Sequence, residues 1–296
     1  MVISRSRYSL YLTFIHIGMI LLCAGTLYPF LVIVGSSLQS ANDLSRNGYS
    51  VIPERIDLTA YQIILASPRQ LIRSYWATIY TTAATVLFGI FLTTTCGYVM
   101  SRQDYAYRRF LSFYIFFTML FNGGLVPTYI LYVNWLRLKN SPIALVLPMV
   151  VSAWYILLMK SFMIKIPKSL LESAIIDGAS EWSIFFQIII PISKPAVATI
   201  ALFFCLGSWN DWWLSLLFIE DDKYVKLQYL LHRLLKYIEY LNTPEAQQMG
   251  ASLGIRVPMQ SSRMAMCILT TGPMLFIFPF FQKYFVRGIT VGSIKE

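Results

Sequence analysis

Residues 160–195 hold the side chains best suited to act on another molecule. Pro167, Lys168 and Ser169 form a helix-start signal. Leu170, Leu171, Ala174 and Ile175 then recur at the spacing of one helix face. Glu172 and Asp177 are isolated acids among them, and Gly178 can end the helix with positive φ. A second apolar helix is predicted from about Glu181 to Ile190, stopping before Pro191. A short helix, a turn and another helix suit docking better than catalysis. No GxxxxGKS/T loop is present to cradle phosphates, and there is neither HExxH nor GxSxG. The two histidines, His16 and His232, stand far apart, and His16 reads as a hydrogen-bonded helix residue rather than a proton relay. Cys23, Cys96, Cys205 and Cys267 lie in separate apolar runs with no metal or redox spacing, so they read as inert thiols.

A second candidate is Trp209-Asn210-Asp211-Trp212. Asp211 is the only formal charge well inside an apolar span, and intramembrane acids are functional candidates by default. It stands eight residues before Ile219, about 12 Å at helical rise, so a shorter span would make it interfacial. The tryptophans suit either an aromatic belt or a sugar-stacking platform. A structural or partner contact for Asp211 is preferred over direct substrate contact.

These segments must be positioned by membrane helices. Of 296 residues, 57% are hydrophobic and only 13% charged, about half the charged share of a soluble domain. A mean hydropathy of +0.60 also excludes disorder. Six apolar stretches approach the length needed to cross a bilayer, at about 10–34, 76–100, 110–133, 142–159, 196–219 and 264–281. The predicted fold is all-α, a single polytopic membrane domain over 1–296 with six transmembrane helices. Prolines within the spans should kink them, not break them. The first run is too long for a signal peptide and reads as a retained anchor. The net charge of +10 sits in the connections, which points to lipid headgroups and orientation rather than nucleic acid. With a cytoplasmic N-terminus the 24 basic residues divide evenly between the two sides. The short basic segments around Arg5, Arg7, Arg102, Arg108 and Arg109 favour that orientation, with both termini cytoplasmic. A short amphipathic piece is expected at Thr59–Leu65, an amphipathic helix at Leu227–Tyr240, and a polar tail from Gln282.

The 160–195 segment resembles the EAA loop of binding-protein-dependent ABC importer permeases. Glu172-Ser173-Ala174, then Gly178, then Ile188-Ile189-Ile190-Pro191 keep that pattern's spacing. Ser173 stands for one alanine and Ile190 for a leucine. Gly97-Tyr98-Val99-Met100-Ser101-Arg102, Trp209-Asn210-Asp211 and Phe280–Ile289 resemble further signatures of the carbohydrate (MalG-type) branch, in particular its LplC/YtcP-like complex-oligosaccharide permeases.

The resemblance implies a bacterial cell (inner) membrane protein that is not itself an enzyme. It implies a cytoplasmic coupling helix seated on a separate ATPase. Leu170, Leu171, Ala174 and Ile175 would pack there, Glu172 and Asp177 would meet polar partners, and Gly178 would allow close approach. Implied partners are a second permease subunit in a heterodimer, two ATPase subunits carrying ATP and Mg, and an extracellular or periplasmic solute-binding protein. The chain itself would hold no cofactor and no metal. The substrate class is oligosaccharide, leaning towards pectin- or alginate-derived fragments. Outer loops with 12 basic and 8 acidic residues suit an anionic sugar. The alternative is an ion-coupled secondary transporter working without an ATPase. Such proteins usually show internal repeats and midplane titratable groups, which are not evident here.

Overall fold

The structure, a computed structural model, describes residues 5–66, 68–241, 243 and 259–293. Every regular element among the described residues is a helix. In chain order they are α1 (Arg5–Ser37), α2 (Ala41–Asn47), α3 (Thr59–Leu65), α4 (Pro68–Ser101), α5 (Arg108–Leu120), α6 (Leu125–Trp135) and α7 (Ile143–Val146). They continue with α8 (Ala153–Met163), α9 (Lys168–Ile176), α10 (Glu181–Ile192), α11 (Lys194–Asn210), α12 (Trp213–Phe218), α13 (Leu227–Leu241) and α14 (Met259–Ser293). The short helix expected at Thr59–Leu65 and the amphipathic one at Leu227–Tyr240 are α3 and α13.

Among the described residues two helices, α1 from Tyr11 and α4, are long and apolar enough to cross a bilayer alone. The pairs α5–α6 and α10–α11 pass only together, bent by 110° and 82°. Three expected continuous spans are therefore broken. The 110–133 stretch breaks because Phe121 turns extended, with φ −118° and ψ 108°, and Gly124 takes φ +90°. Pro127 then falls in the first turn of α6, where its missing N–H is not needed. The 142–159 stretch divides into α7 and α8. Pro148 cannot donate to Ala144, so the chain leaves the helix through a Met149 N–H to Val146 carbonyl turn until Ser152 caps α8. The 196–219 stretch ends its helix at Asn210 and restarts at Trp213. By contrast, α1 runs through Pro29 and α14 through Pro273 and Pro279. The expected tail from Gln282 continues α14 as helix to Ser293, since no further proline follows.

The chain forms two compact units, 1–68 with 231–272, and 69–230 with 273–296. In the first, the Ser261 hydroxyl donates to the Gln39 carbonyl at 2.9 Å. A Cβ on Gly35 would lie 2.2 Å from the Val51 carbonyl oxygen, so the chain crosses itself there only with glycine.

The second unit is organised on α4. Its buried face carries Ser74, Ala77, Thr78, Thr81, Thr85 and Gly89 at helical spacing. Thr78, Thr81 and Thr94 can be buried there because their hydroxyls bond back within the helix, Thr78 to Ser74 at 2.8 Å and Thr94 to Ile90 at 2.7 Å. Such small side chains admit close neighbours. A Cβ on Gly89 would meet the Phe204 ring at 2.8 Å, and one on Gly97 the Met159 side chain at 2.8 Å. A core of Tyr98, Met159, Met163, Ile184, Phe185 and Phe204 joins α4, α8, α10 and α11.

Candidate functional site

The helix–turn–helix of 168–192 is built by local rules. Pro167 precedes α9 with ψ 129°, a non-helical value, and the helix begins at Lys168. At its end Gly178 takes φ +77°. The Ala179 N–H donates to the Ala174 carbonyl (2.9 Å) and the Gly178 N–H to the Ile175 carbonyl (3.0 Å). This pair of bonds satisfies two last-turn carbonyls and needs a left-handed residue at 178. Ser180 then caps α10, accepting the Ser183 N–H at 3.3 Å. The second helix does not stop before Pro191. It widens into a π segment at Ile184–Ile189 and carries Pro191 within its last turn.

The apolar stripe of α9 is divided between two surroundings. Ala174 is buried at 7% exposure in the chain's own core, and Leu171 packs half-buried against it. Leu170 and Ile175 are exposed, with Glu172, Asp177 and Gly178 beside them. Ile176, unassigned in the sequence reading, is the most exposed at 85%. Its signal was present as an apolar residue off the stripe, beside Ser173 and Glu172. The outward face thus combines large apolar side chains with carboxylates, while the inward face is locked into the core.

The loop after α4 reaches both helices of this hairpin. Lys168 Nζ donates to Gln103 Oε1 on the α9 side. On the α10 side, Arg102 Nη2 lies 3.1 Å from Glu181 Oε1. Arg102 Nε donates to Asp104 Oδ1 at 2.8 Å. The guanidinium bond holds the Asp104 carboxyl below the usual carboxylate range, and Asp104 in turn raises Arg102. Two cavities flank this junction. One of about 360 Å³ is lined by Thr95, Tyr98, Tyr105, Glu181 and Trp182. The other, of about 300 Å³, lies under α9 beside Leu171, Glu172 and Ile175.

The Trp209–Trp212 residues do not converge on a common space. Trp209 is buried at 3% exposure, whereas Asn210 is exposed and accepts from Gln228 Nε2 at 3.2 Å. Trp212 and Trp213 meet edge to face, with centroids 5.5 Å apart. Asp211 is not within a helix but at the break between α11 and α12. One carboxylate oxygen accepts the Leu214 N–H at 3.3 Å. The other faces Lys226 Nζ at 3.5 Å. Lys226 is fully buried and also donates to the Ser208 carbonyl in the last turn of α11, which the Asp211 N–H also reaches at 3.3 Å. Sequence reasoning missed Lys226 because it falls in the connection after the 196–219 span, just before the amphipathic helix expected at Leu227–Tyr240. The flanking Tyr224-Val225 and Leu227 were the available signal. Nearby, Asn140 Oδ1 accepts the Glu220 and Asp221 N–H groups at 2.6 and 3.0 Å, and Gln70 donates to the Asp222 carbonyl at 3.0 Å.

With this geometry in hand, the comparisons are consistent over most of the chain. LplC of Bacillus subtilis (strain 168) is 34% identical over 270 residues, 91% of this chain and 90% of its own. The polygalacturonan/rhamnogalacturonan transport system permease protein YtcP of the same organism is 33% identical, covering 90% of this chain and 92% of its own. A crystal structure of a bacterial ABC transporter involved in the import of the acidic polysaccharide alginate contains a chain that superposes with a TM-score of 0.79 at 29% identity. The match covers 96% of this chain and 99% of that one. The sequence model of the binding-protein-dependent transport system inner membrane components matches residues 85–291, and the chain belongs to that family.

Proposed function

We propose that the chain is a permease subunit of an ATP-driven, binding-protein-dependent importer for oligosaccharides, working as a heterodimer with a second permease. It spans the bacterial cell membrane six times with both termini in the cytoplasm, and α9 is its coupling helix. ATP and Mg are held by two partner ATPase subunits. Closure of those subunits moves α9 as a rigid body and rocks the permease pair between inward- and outward-facing states. A solute-binding protein delivers the sugar to the outer loops.

The observation that carries this reading is the division of α9. Its inner face, through Ala174 and Leu171, belongs to the chain's own core, so force on the helix is transmitted inward. Its outer face leaves Leu170, Ile175 and Ile176 exposed next to Glu172 and Asp177. Oligosaccharides of plant or algal origin, including uronates, are the substrate class, supported by the polygalacturonan permease and alginate importer among its relatives. The basic surplus of the outer loops, 12 basic against 8 acidic residues, suits an anionic sugar.

Leu170→Glu and Ile176→Glu test the docking face. Both side chains are exposed, so the chain should accumulate normally. When the chain is co-expressed with its second permease and ATPase, each variant should lose the ATPase on purification and abolish ATP-dependent uptake. Undiminished co-purification of the ATPase with Ile176→Glu would refute the docking of α9.

A further inference from the structure

Where α4 ends against α10, Arg102, Tyr98 and Glu181 close a polar ring, to which Asp104 is tied through Arg102. Arg102 donates through Nε to Asp104 (2.8 Å) and through Nη1 to the Tyr98 phenol oxygen (3.1 Å), and its Nη2 faces Glu181 at 3.1 Å. The Tyr98 hydroxyl in turn donates to the other Glu181 oxygen at 2.8 Å. The members are unequally placed. The Arg102 side chain is only 14% exposed, against 65% for Asp104 and 61% for Glu181. Tyr98 is fixed from behind by the core, its ring 5.4 Å from that of Phe185.

An ordinary surface ion pair holds two mobile side chains and contributes little to stability. This guanidinium is enclosed, and its planar fork sets the directions of three partners at once. The location matters as much as the strength. Cavities of about 360 and 300 Å³ open on the two sides of the junction, so beyond the Tyr98–Phe185 contact the angle of α10 on α4 leans on these polar bonds. The same loop is gripped from α9 by Lys168 at Gln103. Residues 102–104 are thus held by both helices of the hairpin.

We propose that Arg102 is a positioning residue that makes the end of α4 and the α9–α10 hairpin one rigid body, so that displacement of the hairpin is passed to the threonine-lined face of α4. The proposal rests on the coupling reading of α9 and adds to it the strut by which movement leaves the hairpin.

The test uses the assembled importer in lipid nanodiscs. The native cysteines are replaced, and spin labels are placed at Val99→Cys on α4 and Gln187→Cys on α10, both exposed and outside the α9 face. In the unaltered chain the distance between the labels should be the same in the nucleotide-free and ATP-trapped states. In Arg102→Gln and in Glu181→Gln the distance should shift with nucleotide, while the ATPase still co-purifies. The double variant should shift no further than the larger single, as for two ends of one tie. A loss of fold would broaden the distances in both states alike, whereas a lost tie appears only as a shift between them. A nucleotide-dependent distance in the unaltered chain, or a constant one in both variants, would overturn the proposal. Should Arg102→Gln fail to accumulate, Glu181→Gln decides alone, because its side chain is mostly exposed and keeps its shape. Failure of the ATPase to co-purify with the unaltered chain would instead refute the docking of α9, and the strut with it.

Discussion

A lysine with no exposure is costly unless its ammonium is matched, and Lys226 is matched twice, by the Ser208 carbonyl and by Asp211. The neighbouring backbone is tied down as well, since the Leu227 N–H donates to the Thr78 hydroxyl of α4 at 2.8 Å. Breaking a buried pair from one side leaves the other charge uncompensated and costs about 3–5 kcal/mol, whereas removing both charges is often neutral. Lys226→Met should therefore lower the apparent melting temperature of the purified protein strongly, and Lys226→Met with Asp211→Asn should recover most of the loss. An unchanged melting temperature in the single variant would show that the pair carries no such role. The acid was visible in the sequence as a lone charge in an apolar run. Its partner was not, because fifteen positions and a helix break separate them and only the fold brings them within 3.5 Å.

Among the elements, α4 sets the distances between its neighbours. Its buried face is assembled from Gly, Ala, Ser and Thr, which lets α8 and α11 approach the backbone itself. At Gly97 a Cβ would come within 2.8 Å of Met159 and 3.2 Å of the Lys160 backbone nitrogen. Overpacking of this kind costs about 1–3 kcal/mol. Gly97→Leu should thus lower the apparent melting temperature by several degrees and reduce accumulation. Gly18→Ala is the control, because nothing lies within 4 Å of a Cβ on that α1 glycine. Equal behaviour of the two variants would argue against the close α4–α8 crossing. The helices themselves were largely legible, because capping and turn signals are local. The α9 start after Pro167 and its left-handed end at Gly178 follow from residues within one turn. The bends at 121–124 and 211–212 were not, because hydropathy averages over the few residues at which a long run leaves the helix.

Across the second unit as a whole, polar contacts sort the connections into two groups. Lys139 pairs with Glu220 at 2.7 Å, Asn140 caps 220–221, and Gln70 reaches Asp222. At another junction Arg102 meets Glu181, Gln103 meets Lys168, and Lys160 donates to Ser112 at 2.7 Å. The first group holds segments expected outside the cell, and the second those expected in the cytoplasm. Single cysteines at Lys139 and Lys223 should therefore react with a membrane-impermeant maleimide in intact cells. Cysteines at Gln103 and Ser173 should react only after permeabilisation. Labelling of 139 and 223 from opposite sides would rule out the six-crossing arrangement.

Composition and apolar run length were enough to read a helical membrane protein, and the 172–191 spacing to carry its resemblance to the permease family, because those properties are local or summed along the chain. The tertiary structure alone decided which α9 residues turn inward and which stay exposed. It also joined Arg102 to Glu181 and Lys226 to Asp211. Periodicity shows that a helix has an apolar face, but not which distant segment will cover it, and charges far apart in sequence become partners only once packing has enclosed them.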